Sequence, residues 1–151
     1  MKKIIQFSSL FGGVYFGKTV LITGHTGFKG SWLSAWMLSL GAKVVGLSND
    51  IPTKTSHFEA LKLGTLVEDL RVDVRDSVAV KEAVKTHQPD YVFHLAAQAL
   101  VRPSYESPLD TIATNALGSA NILDALRGLD KPVVVVMITS DKVYDNVEWT
   151  W

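Results

Sequence analysis

Cysteine is absent from the 151 residues. No disulfide can staple the fold and no thiolate can hold zinc; the usage fits a reducing compartment, and a cytoplasmic location is the expectation. An excess of either charge is lacking too. Fifteen Lys and Arg face fifteen Asp and Glu, for a formal net charge of zero. A chain balanced in this way has no long-range attraction for nucleic acid or anionic lipid. No apolar run approaches the roughly 20 residues that span a bilayer. The nearest imitation is at the start, where Lys2 and Lys3 precede an apolar stretch over residues 4–16. Gln6, Ser8, Ser9, Gly12 and Gly13 interrupt it and no small-residue cleavage site follows, so it reads as an N-terminal extension and not as a signal peptide. Linkers, low-complexity tracts and solenoid repeats are missing as well. The four histidines (His25, His57, His87 and His94) have no spacing that suits a metal, and no metal is expected.

What is present is a chain of single-domain length with 47% hydrophobic residues, enough for a buried core. Residues 18–23 (KTVLIT) form a short apolar run that ends in a glycine-rich turn, as buried parallel strands do. A helical pattern follows over residues 28–40. Trp32 and Trp36, and likewise Leu33 and Met37, stand four apart, which predicts a broad apolar face, and Gly41 stops the helix. Residues 42–47 (AKVVGL) read as a second strand, completing a right-handed βαβ unit. The alternation continues. Strands are expected at residues 66–72, 90–95 and 132–139. A helix capped by Asp76 should reach His87, and one long helix should run from near Ser104 to Arg127. Residues 49–63 read as a loop with at most one short helix. Strands alternating with helices predict an α/β fold, a doubly wound parallel sheet of Rossmann-like type, reaching about its fifth strand.

The turn Gly24-His25-Thr26-Gly27-Phe28-Lys29-Gly30 fits GxxGxxG and lies between a strand and a helix, the context that gives the motif meaning. The first glycine permits the tight turn, the second lets a pyrophosphate approach the backbone, and the third lets helix and strand pack closely. The phosphates would then meet the positive end of the helix dipole. His25 either contacts the cofactor or does not; the sequence leaves both open. His94, inside a strand, reads as a core residue, and His57 and His87 as surface residues. An acidic residue after the second strand commonly holds the adenosine ribose. Here it arrives late, as Asp50 behind Ser48 and Asn49, and no arginine stands there for a 2′-phosphate, which favours NAD over NADP. Asp73 and Val74 end the third strand. Asp73 can accept the adenine amino group, or it can pair with Arg71 or Arg75.

Together with that glycine motif, Asp73-Val74, Leu95-Ala96-Ala97, Thr114-Asn115 and Thr139-Ser140-Asp141 resemble the extended short-chain dehydrogenase/reductases, from about Gly17 onward. Within them, TGHTGFKGSWL from Thr23, HLAAQALVRPSY from His94 and TSDKVYDNVEWTW from Thr139 are similar to the CDP-glucose 4,6-dehydratase branch. Relatives acting on dTDP-glucose or GDP-mannose tend to carry glutamate where Lys142 stands. The resemblance implies an NAD-dependent lyase. A hydride leaves C4 of the glucose for NAD, water is lost across C5 and C6, and the hydride returns to C6, giving CDP-4-keto-6-deoxyglucose for deoxysugar and lipopolysaccharide synthesis. It implies that Ser140 polarises the C4 oxygen, that Asp141 protonates the departing hydroxyl, and that Lys142 assists at C5 and C6. Leu95, Ala96, Ala97 and Gln98 would line the cofactor, with Thr114 and Asn115 on the nicotinamide side. Arg102 and Tyr105 would either touch substrate or serve structure. The nucleotide sugar would be the small-molecule partner. A homodimer or higher homo-oligomer is implied, with the long helix as a candidate surface.

The family's Tyr-x-x-x-Lys pair does not occur. Tyr144 is followed by Asp145, Asn146, Val147 and Glu148. The 151 residues are therefore expected to be an NAD-binding portion without the substrate lobe, and inactive alone. The alternatives are another sugar-nucleotide dehydratase or epimerase, or a non-catalytic NAD-binding module.

Overall fold

A computed structural model describes residues 7–140, 144, 145 and 147. Five strands, β1 (Thr19–Thr23), β2 (Lys43–Leu47), β3 (Glu68–Leu70), β4 (Tyr91–His94) and β5 (Val134–Met137), form one sheet. Every pairing is parallel, in the order β3-β2-β1-β4-β5. The expected doubly wound sheet is what the chain forms. Alternation along each strand divides the core in two. Leu21, Val45, Leu47 and Val92 face one side and pack with Val80, Val84, Ile122 and Leu126 from helices. Val20, Ile22 and Val44 face the other and pack with Met37 and Leu40.

The helices are α1 (Phe28–Ser39), α2 (His57–Ala60), α3 (Ser77–His87), α4 (Val101–Glu106), α5 (Pro108–Ile112) and α6 (Gly118–Leu126). None is long and apolar enough to cross a membrane. Asp76 caps α3 as expected, accepting from Val78 and Ala79 N–H at 3.0 Å each.

Three expectations need correction. The predicted long helix from Ser104 to Arg127 is broken. Ser107 (φ −137°, ψ 71°) lies outside helical geometry because the following proline disfavours it there, and Pro108 starts a new helix as its first residue. Between α5 and α6, residues Ala113–Leu117 form a π-helical turn. Strand β3 is shorter than residues 66–72, because Leu66 still closes a 3-10 turn and the Val72 N–H turns back to the Leu70 carbonyl.

The third correction concerns the face of α1. Met37 is buried as expected, but Trp32 and Trp36 are 56% and 48% exposed. The helix turns Gly30, Ser31 and Ser34 inward instead. Small residues let it lie close to the sheet, and the serine hydroxyls satisfy themselves on α1 carbonyls, Ser31 on Phe28 at 2.9 Å and Ser34 on Gly30 at 2.8 Å. The bulky rings sit at the flank, where Trp32 stacks on His57 at 4.2 Å and Trp36 meets Phe11 edge-on at 5.8 Å.

Candidate functional site

The C-terminal ends of β1, β2, β3 and β4 surround a cleft of about 190 Å³. Open parallel sheets bind ligands at this edge. Gly24, Thr26 and Gly27 form its floor, Ser48, Asn49 and Asp50 one wall, Val72, Asp73 and Val74 another, and Leu95, Ala96, Ala97 and Thr114 the third.

The three glycines differ in what they do. Gly24 has φ +70°, and a Cβ there would come within 2.9 Å of the Ala96 nitrogen, so both turn geometry and close approach demand glycine. Gly30 is a packing glycine, since its Cβ would fall 2.1 Å from the Gly24 carbonyl oxygen. Gly27 is the N-cap of α1 and has no side-chain cap, and the first turn of α1 carries no acidic residue. The first-turn amides of this twelve-residue helix therefore keep their positive end for an anion.

Phe28 is 76% exposed beside this turn, and Lys29 lines a larger, adjoining cavity of about 950 Å³. The wall after β2 is tied to the turn, since the Thr26 hydroxyl donates to the Asp50 carbonyl at 2.6 Å.

His25 turns away from the cleft. Its side chain is fully buried, its Nε2 lies 3.0 Å from Asp69 Oδ1, and its ring covers Gly46, where a Cβ would fall 2.2 Å from the imidazole. Burial lowers its pKa, against the pull of the Asp69 carboxylate. Of the two possibilities for His25, a side-chain contact with the cofactor is the one its orientation rejects; it braces β2 and β3 from beneath.

Of the two possibilities for Asp73, the structure shows the pairing with Arg75. Asp73 stands on the cleft wall, and Arg75 grips its carboxylate through Nε at 3.1 and 3.0 Å and through Nη2 at 2.6 Å. Hydrogen bonding from Arg75 lowers the Asp73 pKa, and Arg75 also reaches Asp110 on α5 at 3.1 Å. Asn121 on α6 fixes the same loop, donating to the Val74 and Arg75 carbonyls at 2.9 and 3.1 Å.

The wall after β4 is held from both ends. Thr23 Oγ1 accepts the Leu95 and Ala96 N–H groups at 3.0 Å each. Asn115, in the π-helical turn, accepts the Gln98 N–H at 2.8 Å and donates to the Gln98 carbonyl at 3.0 Å. Asn115 and Gln98 thus line the larger cavity and tie its wall together, while Thr114 reaches the smaller cleft. His94, 2% exposed, is the core residue expected, and burial lowers its pKa. Ser140, at the end of the β5 segment, lines the larger cavity with Gln98 and Asn115. Asp141 and Lys142 lie outside the described residues.

Sequence reasoning passed over Thr23, Ser48 and Ser119. Ser48 is buried at the cleft, close behind the Gly46 that His25 covers. For Thr23 and Ser48 the signal was a small polar residue at a strand end, where an apolar core residue would be the norm; Ser119, on α6, carried no such signal.

With the geometry set out, comparison with known proteins decides the family. Residues 21–150 match the GDP-mannose 4,6 dehydratase family. The chain belongs to that family. Among its curated relatives, a CDP-glucose 4,6-dehydratase of Salmonella typhimurium is 47% identical over 89% of the chain and 38% of its own length. A GDP-mannose 4,6-dehydratase of Vibrio cholerae is 30% identical over 88% of the chain and 38% of its own. The chain thus spans well under half the length of these family relatives. A UDP-glucose 4-epimerase from Stenotrophomonas maltophila, solved with NAD and formylated UDP-arabinopyranose, superposes with a TM-score of 0.74 at 26% identity, over 88% of this chain and 40% of that one. A Thermus thermophilus UDP-glucose 4-epimerase in complex with NAD gives a TM-score of 0.62 at 38% identity, over 72% and 33%.

Proposed function

We propose that this chain forms the NAD-binding half of a sugar-nucleotide 4,6-dehydratase that converts CDP-glucose to CDP-4-keto-6-deoxyglucose. The observation that carries the reading is the uncapped α1 terminus under Gly24 and Gly27, opening into a cleft with Asp50 and Asp73 on its far walls. A dinucleotide fits this distribution: amide hydrogens in the middle for the diphosphate, and carboxylates where ribose hydroxyls and an adenine amino group need acceptors. NAD, when bound, supplies a reversible hydride acceptor. Its adenine end falls to Asp73 and Val74, its ribose to Asp50, and its far half to the wall of Leu95, Ala96, Ala97 and Gln98, braced by Thr114 and Asn115. Phe28 and Lys29 stand at the mouth of the phosphate turn, and the backbone of His25 and Thr26 forms part of it.

The larger cavity is the place for the sugar. Ser140 on its wall would donate a hydrogen bond to the C4 oxygen as that oxygen gains charge. Asp141 would give a proton to the leaving C6 hydroxyl, and Lys142 would assist removal of the C5 proton. These two roles rest on the resemblance of the Thr139-Ser140-Asp141-Lys142 run to the CDP-glucose branch and on the 47% identity to the Salmonella enzyme. Lys142, where related enzymes tend to carry glutamate, favours CDP-glucose over GDP-mannose. A cytoplasmic homo-oligomer serving deoxysugar and lipopolysaccharide synthesis accords with this substrate.

The test is incubation of the full-length protein with NAD and, separately, CDP-glucose, dTDP-glucose and GDP-mannose, following the loss of one water by mass spectrometry. Dehydration of CDP-glucose in preference is the expected result. Preference for another nucleotide sugar would overturn the CDP assignment, and NAD binding with no dehydration at all would favour a non-catalytic module. The 151-residue chain alone, without a Tyr-x-x-x-Lys pair, is expected to show no turnover.

A further inference from the structure

A chain of hydrogen bonds, buried at its Thr23–His94 link, joins the cleft wall to the π-helical turn, and its proton positions can be deduced. Thr23 Oγ1 already accepts two N–H groups, from Leu95 and Ala96. A hydroxyl has two acceptor sites and one hydrogen. Its hydrogen is thus left to point at His94 Nδ1, 2.8 Å away. Nδ1 must then be the bare acceptor of the ring. A neutral imidazole carries its proton on the other nitrogen, so Nε2–H donates to Ser119 Oγ at 3.0 Å. The Ser119 hydroxyl in turn donates to the Asn115 carbonyl at 2.7 Å. Asn115 closes the circuit through its two bonds with the Gln98 main chain. Four side chains therefore hold the segment from Leu95 to Gln98, with donation running one way from Thr23 through His94 and Ser119 to the Asn115 carbonyl, and His94 is the link that joins its two ends.

From this we infer that His94 is a positioning residue, held as the neutral Nε2–H tautomer, which couples the π-helical turn carrying Thr114 and Asn115 to the Leu95–Ala96 wall of the cleft. The other tautomer would set two hydrogens against each other between Nδ1 and Thr23 and leave Nε2 facing a hydroxyl already committed to Asn115. Either fault would release a main-chain amide that shapes the cleft. A packing histidine would fill the same volume with either nitrogen protonated; the circuit demands one arrangement. The part of the inference that concerns cofactor rests on NAD binding at this cleft, as proposed above.

Two measurements on the full-length protein test it. The first is the pair of imidazole nitrogen shifts of His94 at neutral pH by ¹⁵N NMR, on the unaltered protein. The Nε2–H pattern is expected, and the Nδ1–H pattern or an imidazolium would overturn the inference. The second is Ser119→Ala, with Ser119→Thr as the variant that keeps the hydroxyl. Ser119→Ala should speed hydrogen exchange of the Leu95 and Ala96 amides about tenfold, although both amides bond to Thr23 and not to Ser119, while Val84 in α3 is unchanged. Ser119→Thr should restore the protection. NAD binding by calorimetry should weaken about tenfold in the alanine variant and recover in the threonine one. Uniform acceleration across the fold, or unaltered Leu95 and Ala96, would overturn the coupling. Failure of the unaltered protein to bind NAD would sink the cofactor reading of the cleft, and the exchange result would still decide the circuit.

Discussion

Gly46 and His25 illustrate how a single residue's role depends on a partner far away in sequence. The imidazole of His25 occupies the place where any side chain at position 46 would start. Gly46→Ala is expected to destabilise the protein by about 1–3 kcal/mol through overpacking, read as a lower midpoint in chemical denaturation. Pairing it with His25→Ala should recover part of that loss, because the ring that obstructs the new methyl is gone; simple additivity of the two costs would contradict the packing account. Asp73 operates by charge. Arg75 holds the carboxylate ionised and aimed along the cleft wall. Asp73→Asn should reduce NAD affinity roughly tenfold in calorimetric titration, from loss of a charge-assisted acceptor and of its grip by Arg75.

At the scale of elements, the chain uses both of the common ways to begin a helix, and each has its own consequence. Helix α3 begins with a side-chain cap from Asp76, so Asp76→Ala should lower stability by about 0.5–2 kcal/mol by thermal or urea unfolding. Helix α1 begins without one. Its bare amides are where the phosphate is proposed to sit, so the missing cap is a feature of the site. The stretch from Val101 to Leu126 shows a third device. Pro108 breaks it, and the π-helical turn beyond shifts its register so that Thr114 faces the smaller cleft and Asn115 the larger cavity. Extra residues in a helix are often placed at functional sites for this kind of re-aiming.

At the scale of the whole molecule, two histidines set the response to acid. His25 and His94 are buried, and their folded pKa values lie below the ordinary 6.5. Unfolding in mild acid lets both take up protons, so the unfolded state binds more of them. Stability is then expected to fall as pH drops from about 7, by up to roughly 1.4 kcal/mol per pH unit for each histidine, levelling off below the folded-state values. Thermal unfolding between pH 7.5 and 5 checks this, and a flat profile would contradict it. The lowered carboxylates Asp73, Asp90 and Asp124 act only further down, their contribution fading as pH falls through values below 3.8. Among the described residues β5 is an edge strand, with Val134 and Val136 exposed at 55% and 38%. Such an edge invites self-association, so the 151-residue chain should sediment as larger species with rising concentration, and Val136→Lys should reduce this.

The sequence by itself determined the parallel sheet, the glycine turn and the side chains that could meet a dinucleotide. Those depend on local patterns: β-branched runs, a turn that only glycine can make, and a capping aspartate. It also carried the helix break at Pro108, although the apolar periodicity around it masked that signal. Tertiary structure alone decided which way each side chain faces. It sent His25 under Gly46, turned the serines of α1 inward and its tryptophans outward, and brought Thr23, His94, Ser119 and Asn115 into one circuit. Those outcomes depend on contacts between residues up to 73 positions apart, where volume and hydrogen-bond direction are settled by packing and leave no periodic trace along the chain.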